Sequence, residues 1–192
     1  MARIYGIKKG LALNGIDEKT IKEIIGNGNL VHAIERMENA LDADTLYRIL
    51  DACACGGGRE YVERLKKIGG EIADEALSEK IAYVNSISSE SEKIILNDDN
   101  TLSVIWSFGN DEKYMCACSA AVKTGLRVSD LALGNNGAHD CVMPLSYCLC
   151  CAGSGRRHLQ LQLGVELKTK EVVSTPINSR GEKPCAFVFE VV

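Results

Sequence analysis

The stretch from Pro144 to Gly164, PLSYCLCCAGSGRRHLQLQLG, constrains the fold most, because it reads as one helix set between segments that alternate like strands. Proline suits a first helical position, where its missing N–H costs nothing, and glycine suits the residue just past the last turn. Ahead of this helix, Leu102, Val104, Trp106 and Phe108 alternate with polar or small residues. Behind it come strands over about 165–174 and 185–192, the second with Cys185, Phe187, Phe189 and Val191 on one face. A helix so placed covers an antiparallel sheet, and the chain is read as α+β.

The first half is helical by pattern. Asp17 caps a helix carrying Ile21, Ile24 and Ile25, GNGN at 26–29 stops it, and Asn29 opens a second with Leu30, Ile34, Met37 and Leu41. Asp42 or Asp44 opens a third, with Leu46, Ile49, Leu50 and Cys53, which ends at the glycines 56–58. A fourth covers about 59–68, and a fifth about 74–84 after Gly69 and Gly70. The period then changes to two: a hairpin joins Lys93–Leu96 to Leu102–Phe108, and Lys113–Cys118 is expected as a third strand with Cys116 and Cys118 on one face. Residues 119–143 are expected to hold a short helix after Ser129 and a polar loop, GNNGAHD. The expected architecture is a helical N-terminal region, 1–88, and an α+β ligand-binding region, 89–192, with an antiparallel sheet packed against the long C-terminal helix and a closing β-hairpin. The two regions are expected to form one compact unit.

Nine cysteines in a chain with no export signal point to reduced thiols and a cytoplasmic protein, since the number is odd and disulfide scaffolds belong to secreted domains. No apolar run approaches the roughly 20 residues of a membrane span. A net charge of -4 without a basic stripe argues against a dedicated nucleic-acid binder. Cys116 and Cys118 on a strand, facing Cys148 and Cys151 on the helix, have the spacing to give zinc four thiolates. The alternative is that these sulfurs pack as small hydrophobes. Cys150 is expected to point off that helix face.

The segment CACGGGRE at 53–60 offers Cys55 as a catalytic nucleophile, a thiolate ligand or part of a carboxylate pocket, with Arg59 adding charge at a helix entry. Its plain reading is a glycine turn between helices. Among ligand-binding candidates, His139 lies beside Asp140 and Cys141, Arg156 has the chemistry to recognise a carboxylate, and Gly155 permits close approach to the helix. His158 shares a helix face with Cys151 but lies two turns away, too far for a nucleophile and base pair, so it is read as a packing or surface residue. No P-loop, dinucleotide fingerprint, HExxH or nucleophile elbow occurs.

The tail, from YCLCCAGSG to GEKPCAFVFEV, resembles the end of the 4-vinyl reductase type of small-molecule-binding domain and the related aminothiazoline-carboxylate hydrolase-like bacterial proteins. Cys148, Cys151, Gly153 and Gly155 match the helix of that pattern, and Gly181, Cys185 and Phe187 match its G-x-x-x-C-x-F ending. LDACACGGGRE is similar to the Cys-Gly segment of the hydrolase-like relatives. The chain departs from the pattern at Val173, Ser174 and Thr175, where a further cysteine is expected. The resemblance implies a pocket between helix and sheet in a sensory or accessory small-molecule-binding protein. The alternative is a hydrolase of a small cyclic or sulfur-containing molecule, attacking through Cys55 or a metal-bound water. A homodimer is the expected assembly.

Overall fold

Three carboxylate or amide caps set out the helical half. Asp17 Oδ1 accepts from the Lys19 and Thr20 amides at 3.0 Å and opens the helix Glu18–Ile25, Asn29 accepts from His32 N at 3.2 Å ahead of Leu30–Ala40, and Asp42 accepts from Thr45 N at 2.9 Å ahead of Ala43–Ala52. Each satisfies N–H groups of the first turn that would otherwise have no partner. The structure, a computed structural model, describes residues 4–109, 113–116, 118 and 144–192. The short helix expected after Ser129 and the GNNGAHD loop lie outside these residues. Among the described residues, an additional helix, α1 (Ile4–Leu13), precedes the three capped ones, which are therefore α2, α3 and α4. α1 has no sequence cap and buries only Ile7 and Leu11, so its order comes from packing against α2 and α4.

Next come α5 (Arg59–Glu71) and α6 (Leu77–Ile87). α5 does not stop at Ile68 as the glycines suggest; it runs through Gly69 and Gly70. The reason is a close approach, since a Cβ on Gly69 would overlap the Leu161 carbonyl oxygen. That glycine is where two helix backbones meet, not where one ends.

Among the described residues the sheet has four antiparallel strands, β1 (Glu92–Leu96), β2 (Thr101–Trp106), β3 (Leu167–Ser174) and β4 (Cys185–Val191), in the order β1-β2-β4-β3. The expected strand over Lys113–Cys118 is not one. Its described residues are irregular apart from a single bridge, Gly109 to Tyr114. The place beside β2 goes to β4, where Phe187 lies opposite Val104 and Phe189 opposite Leu102. Both phenylalanines are fully buried there, a larger apolar gain than Tyr114, Cys116 and Cys118 offer. The β3–β4 hairpin closes the sheet as expected.

Pro144 precedes a short 3-10 turn, Leu145–Cys148, and the long helix α7 begins after it, spanning Leu149–Leu163 and ending at Gly164 in the left-handed conformation. α7 packs on α4, α5 and α6 and on β3. One apolar core therefore runs from Ile34, Met37 and Ile49 of the helical half to Leu102 and Phe189 of the sheet, across the 88/89 boundary. Among the described residues no helix is long and apolar enough to cross a membrane.

The two neighbouring glycines of α5 make opposite predictions. Gly70 has nothing within 4 Å of a built Cβ, so Gly70→Ala should stabilise the fold, by about 0.5–1 kcal/mol from restored helix propensity. Gly69→Ala should destabilise it by about 1–3 kcal/mol, because the Leu161 backbone must move. Urea unfolding of both variants reads the sign directly.

Candidate functional site

Gly155, His158, Leu159 and Gln162 of α7 line a cleft of about 50 Å³ between this helix and the sheet. α5 contributes Tyr61, and α6 contributes Val84 and Asn85, with Ser88 just past its end. The sheet contributes Ile94, Val104 and Trp106, with Glu92 and Lys93 from the start of β1. The cleft exists because position 155 has no side chain. A Cβ there would lie 2.9 Å from Cη2 and 3.0 Å from Cζ2 of Trp106, whose ring also meets Phe187 edge-on at 5.1 Å. Glycine lets the indole close against the helix backbone and form one wall.

The polar groups of the cleft divide into spent and unspent. Asn85 is spent on β1, donating to the Ile94 carbonyl at 2.8 Å and accepting from the Ile94 amide at 2.9 Å. His158 stands edge-on to Tyr61, ring centroids 4.9 Å apart, and the Arg64 guanidinium lies 5.1 Å from the Tyr61 centroid. Burial lowers the His158 pKa; a hydrogen bond with the Gly56 backbone opposes this, and Arg157 reinforces it. Nε2 of His158 is buried without a hydrogen-bond partner among the described residues. A buried unpaired nitrogen costs about 1–3 kcal/mol. Glu92 at the cleft mouth is shifted the other way, its carboxyl raised by burial and only partly restored by Arg64. Tyr61 is raised by burial and by Glu92. A neutral imidazole and a reluctant carboxylate thus share one small cleft.

Among the described residues, Cys116, Cys118, Cys148, Cys150, Cys151 and Cys185 gather at the other end of α7, with Cys53 near Cys150. Cys118 N–H donates to Cys116 Sγ at 3.4 Å, and Cys118 Sγ lies 3.6 Å from the buried Tyr147 hydroxyl. Hydrogen bonding to Cys118 is the main cause raising the thiols of Cys116 and Cys151, while burial raises Cys148 and pushes Cys185 up to about 12. The structure thus brings Cys116, Cys118, Cys148 and Cys151 into one neighbourhood, as the spacing suggests, and adds Cys150 and Cys185. Cys150, expected off that helix face, is as buried as Cys148. Sulfur is the donor type zinc takes in closed sites. Yet among the described residues no three cysteine, histidine, aspartate or glutamate side chains are arranged to hold one ion.

The remaining candidates are dispersed. Cys55 is exposed in the irregular segment between α4 and α5, tied down through its carbonyl, which accepts from Ser154 Oγ at 2.7 Å. Arg59 is exposed at the first turn of α5. Neither lines the cleft. Arg156 is committed to the fold: its guanidinium meets Asp51 at 2.9 Å, Gln160 at 2.6 Å and the Leu167 carbonyl at 3.4 Å. His139, with Asp140 and Cys141, lies outside the described residues. Of the ligand-binding candidates, Gly155 alone is among the cleft-lining residues described. His158, Glu92, Tyr61 and Trp106 are not legible as a site in the sequence, because they come from α7, β1, α5 and β2; the one signal present is the shared helix face of Gly155 and His158.

No protein-family model, curated protein or solved structure matches the chain.

The His158 environment predicts a pH dependence with a definite sign. Its pKa in the folded chain is below the ordinary 6.5, so the unfolded chain takes up the proton first and stability rises with pH across that interval. The contribution is complete above about 6.5 and is lost as pH falls from there through the folded value. Urea midpoints between pH 5 and 8 should therefore fall on the acid side for the native chain, with a smaller fall for His158→Leu.

Proposed function

We propose that the chain is a cytoplasmic small-molecule-binding protein of the sensory or accessory kind, and that the ligand occupies the cleft between α7 and the sheet. The observation that carries this reading is the cleft itself, where Gly155 lets the Trp106 indole stand as a wall beside the apolar side chains of Ile94, Val104 and Leu159. The described cysteines are thiols, which fits a reducing compartment. The resemblance to the 4-vinyl reductase type of domain supports the same placement, a pocket between helix and sheet. The hydrolytic alternative has less support, because Cys55 and Arg59 lie away from the cleft lining.

Trp106 is the single tryptophan of the chain and forms one cleft wall, so its emission reports occupancy. A metabolite that raises the melting temperature of the protein should also change Trp106 fluorescence saturably. Gly155→Ala, which pushes a methyl into the indole, should weaken that ligand at least tenfold, or about 1.4 kcal/mol. A ligand that stabilises the protein, leaves Trp106 unchanged and ignores Gly155→Ala would place the site elsewhere.

A further inference from the structure

The sulfurs near the start of α7 are not equivalent. Cys148, Cys150 and Cys185 are buried, while Cys116, Cys118 and Cys151 are only partly so, which puts these three at the border of the cluster. Cys118 is the one that links them. Its thiol shares a hydrogen bond with Cys116 and another with Cys151, and its Sγ lies 3.6 Å from the hydroxyl of the fully buried Tyr147. The two sulfur partners differ. Cys116 stands two residues away in the same irregular segment, and its Sγ already accepts the Cys118 N–H at 3.4 Å. Cys151 stands in the first turn of α7, on a backbone held by the helix and by its packing on α4 and α5. The Cys118–Cys151 contact therefore joins two distant parts of the chain through a pair of thiols.

Such a pair suits one kind of soft ligand better than another. A closed zinc site takes four ligands, and among the described residues no three cysteine, histidine, aspartate or glutamate side chains are arranged to hold one ion. Trivalent arsenic needs fewer. It prefers sulfur to oxygen, as soft elements do, and two thiols complete its bonding when carbon or hydroxyl already holds the third position. The exchange also leaves no charge in the interior. For each As–OH bond that breaks, one As–S bond forms, and the hydroxyl leaves with the thiol proton as water while arsenic stays trivalent. Hydrogen bonding with Cys118 and Cys150, together with burial, favours the neutral thiol at Cys151. That preference opposes a metal thiolate, whose formation must expel the proton into solution, and it does not oppose a condensation that gives a neutral product.

We propose that Cys118 and Cys151 form a dithiol site for a trivalent arsenical of the type R–As(OH)2, which binds with loss of two waters and bridges Cys118 to the first turn of α7. The site lies at the opposite end of α7 from the cleft and does not depend on it.

The test adds one equivalent of phenylarsine oxide, which hydrates to the arsonous acid, to the full chain kept reduced with a phosphine, since a thiol reductant would compete for arsenic. Native mass spectrometry should show one phenylarsenic group per chain, bound with loss of two waters, and the melting temperature should rise with it. The adduct should survive an excess of mercaptoethanol, a monothiol, and be removed by ethanedithiol, because only a second dithiol matches the chelate. Cys118→Ser and Cys151→Ser should each weaken binding about 100-fold by leaving arsenic a single sulfur, whereas Cys116→Ser and Cys55→Ser should bind as the native chain does. Circular dichroism checks that each variant is folded; Cys118→Ala replaces Cys118→Ser if the hydroxyl unfolds the chain, and the monothiol challenge needs no variant. No adduct, an adduct stripped by mercaptoethanol, or binding unchanged in the Cys118 and Cys151 variants overturns the site. Loss in Cys116→Ser with retention in Cys151→Ser overturns it too, since arsenic would then sit on the Cys116–Cys118 pair.

Discussion

α7 is approached closely from two sides, and the rest of the fold depends on that. Residues two apart on a helix point about 200° from each other, so Gly153 and Gly155 open nearly opposite faces. Into the first fit Asp51 of α4 and Ala54 just past its end; a Cβ at 153 would lie 3.2 Å from that of Ala54. Into the second fit Trp106 and, further off, Phe189 of the sheet. A larger side chain at either place would lift one half of the molecule away. The cost of two glycines in one helix, roughly 1 kcal/mol each, is offset by the burial their absence of side chains permits.

The Asp51 contact has a second consequence. With the carboxylate seated against Gly153, both arginines that follow on α7 converge on it: Arg156 pairs at 2.9 Å, and Arg157 lies at 3.9 Å while donating to the Asp51 carbonyl at 3.1 Å. The Arg156 pair is mostly buried, so removing one partner would strand the other charge in the interior. This pair orients α7 about its own axis, which fixes where Gly155 and His158 face. The two ends of the helix then differ in chemistry. At the cysteine end, burial and contact between sulfurs favour neutral thiols, and a metal would have to displace those protons. At the cleft end, the Trp106 indole and the apolar side chains of Ile94, Val104 and Leu159 border open space beside the helix.

Much of this is legible in the sequence where the chemistry is local. Asp17, Asn29 and Asp42 are capping residues by their side chains alone, and each caps the expected helix. The alternation at Leu102, Val104 and Trp106 and at Cys185, Phe187 and Phe189 is that of the observed strands. What is not legible depends on distant partners. α1 offers a stripe of two buried residues and gains its order from α2 and α4. Gly69 looks like a helix stop, because a glycine that admits another backbone and one that ends a helix are the same residue. The alternation at Tyr114, Cys116 and Cys118 is real, but β4 competes for the same edge of β2 with two phenylalanines. His158 reads as inert in the sequence because Tyr61, Glu92 and Trp106 reach its cleft from three separate segments.

The account makes α7 the shared core of helices and sheet, so the molecule should unfold as one unit. Equilibrium urea unfolding followed at once by far-UV circular dichroism, dominated by the helices, and by Trp106 fluorescence, which reads the contact between α7 and the sheet, tests this most directly. Coincident transitions with one midpoint are the predicted result. A helical signal lost at a clearly different urea concentration from the Trp106 signal would show two independent units and contradict the central role given to α7.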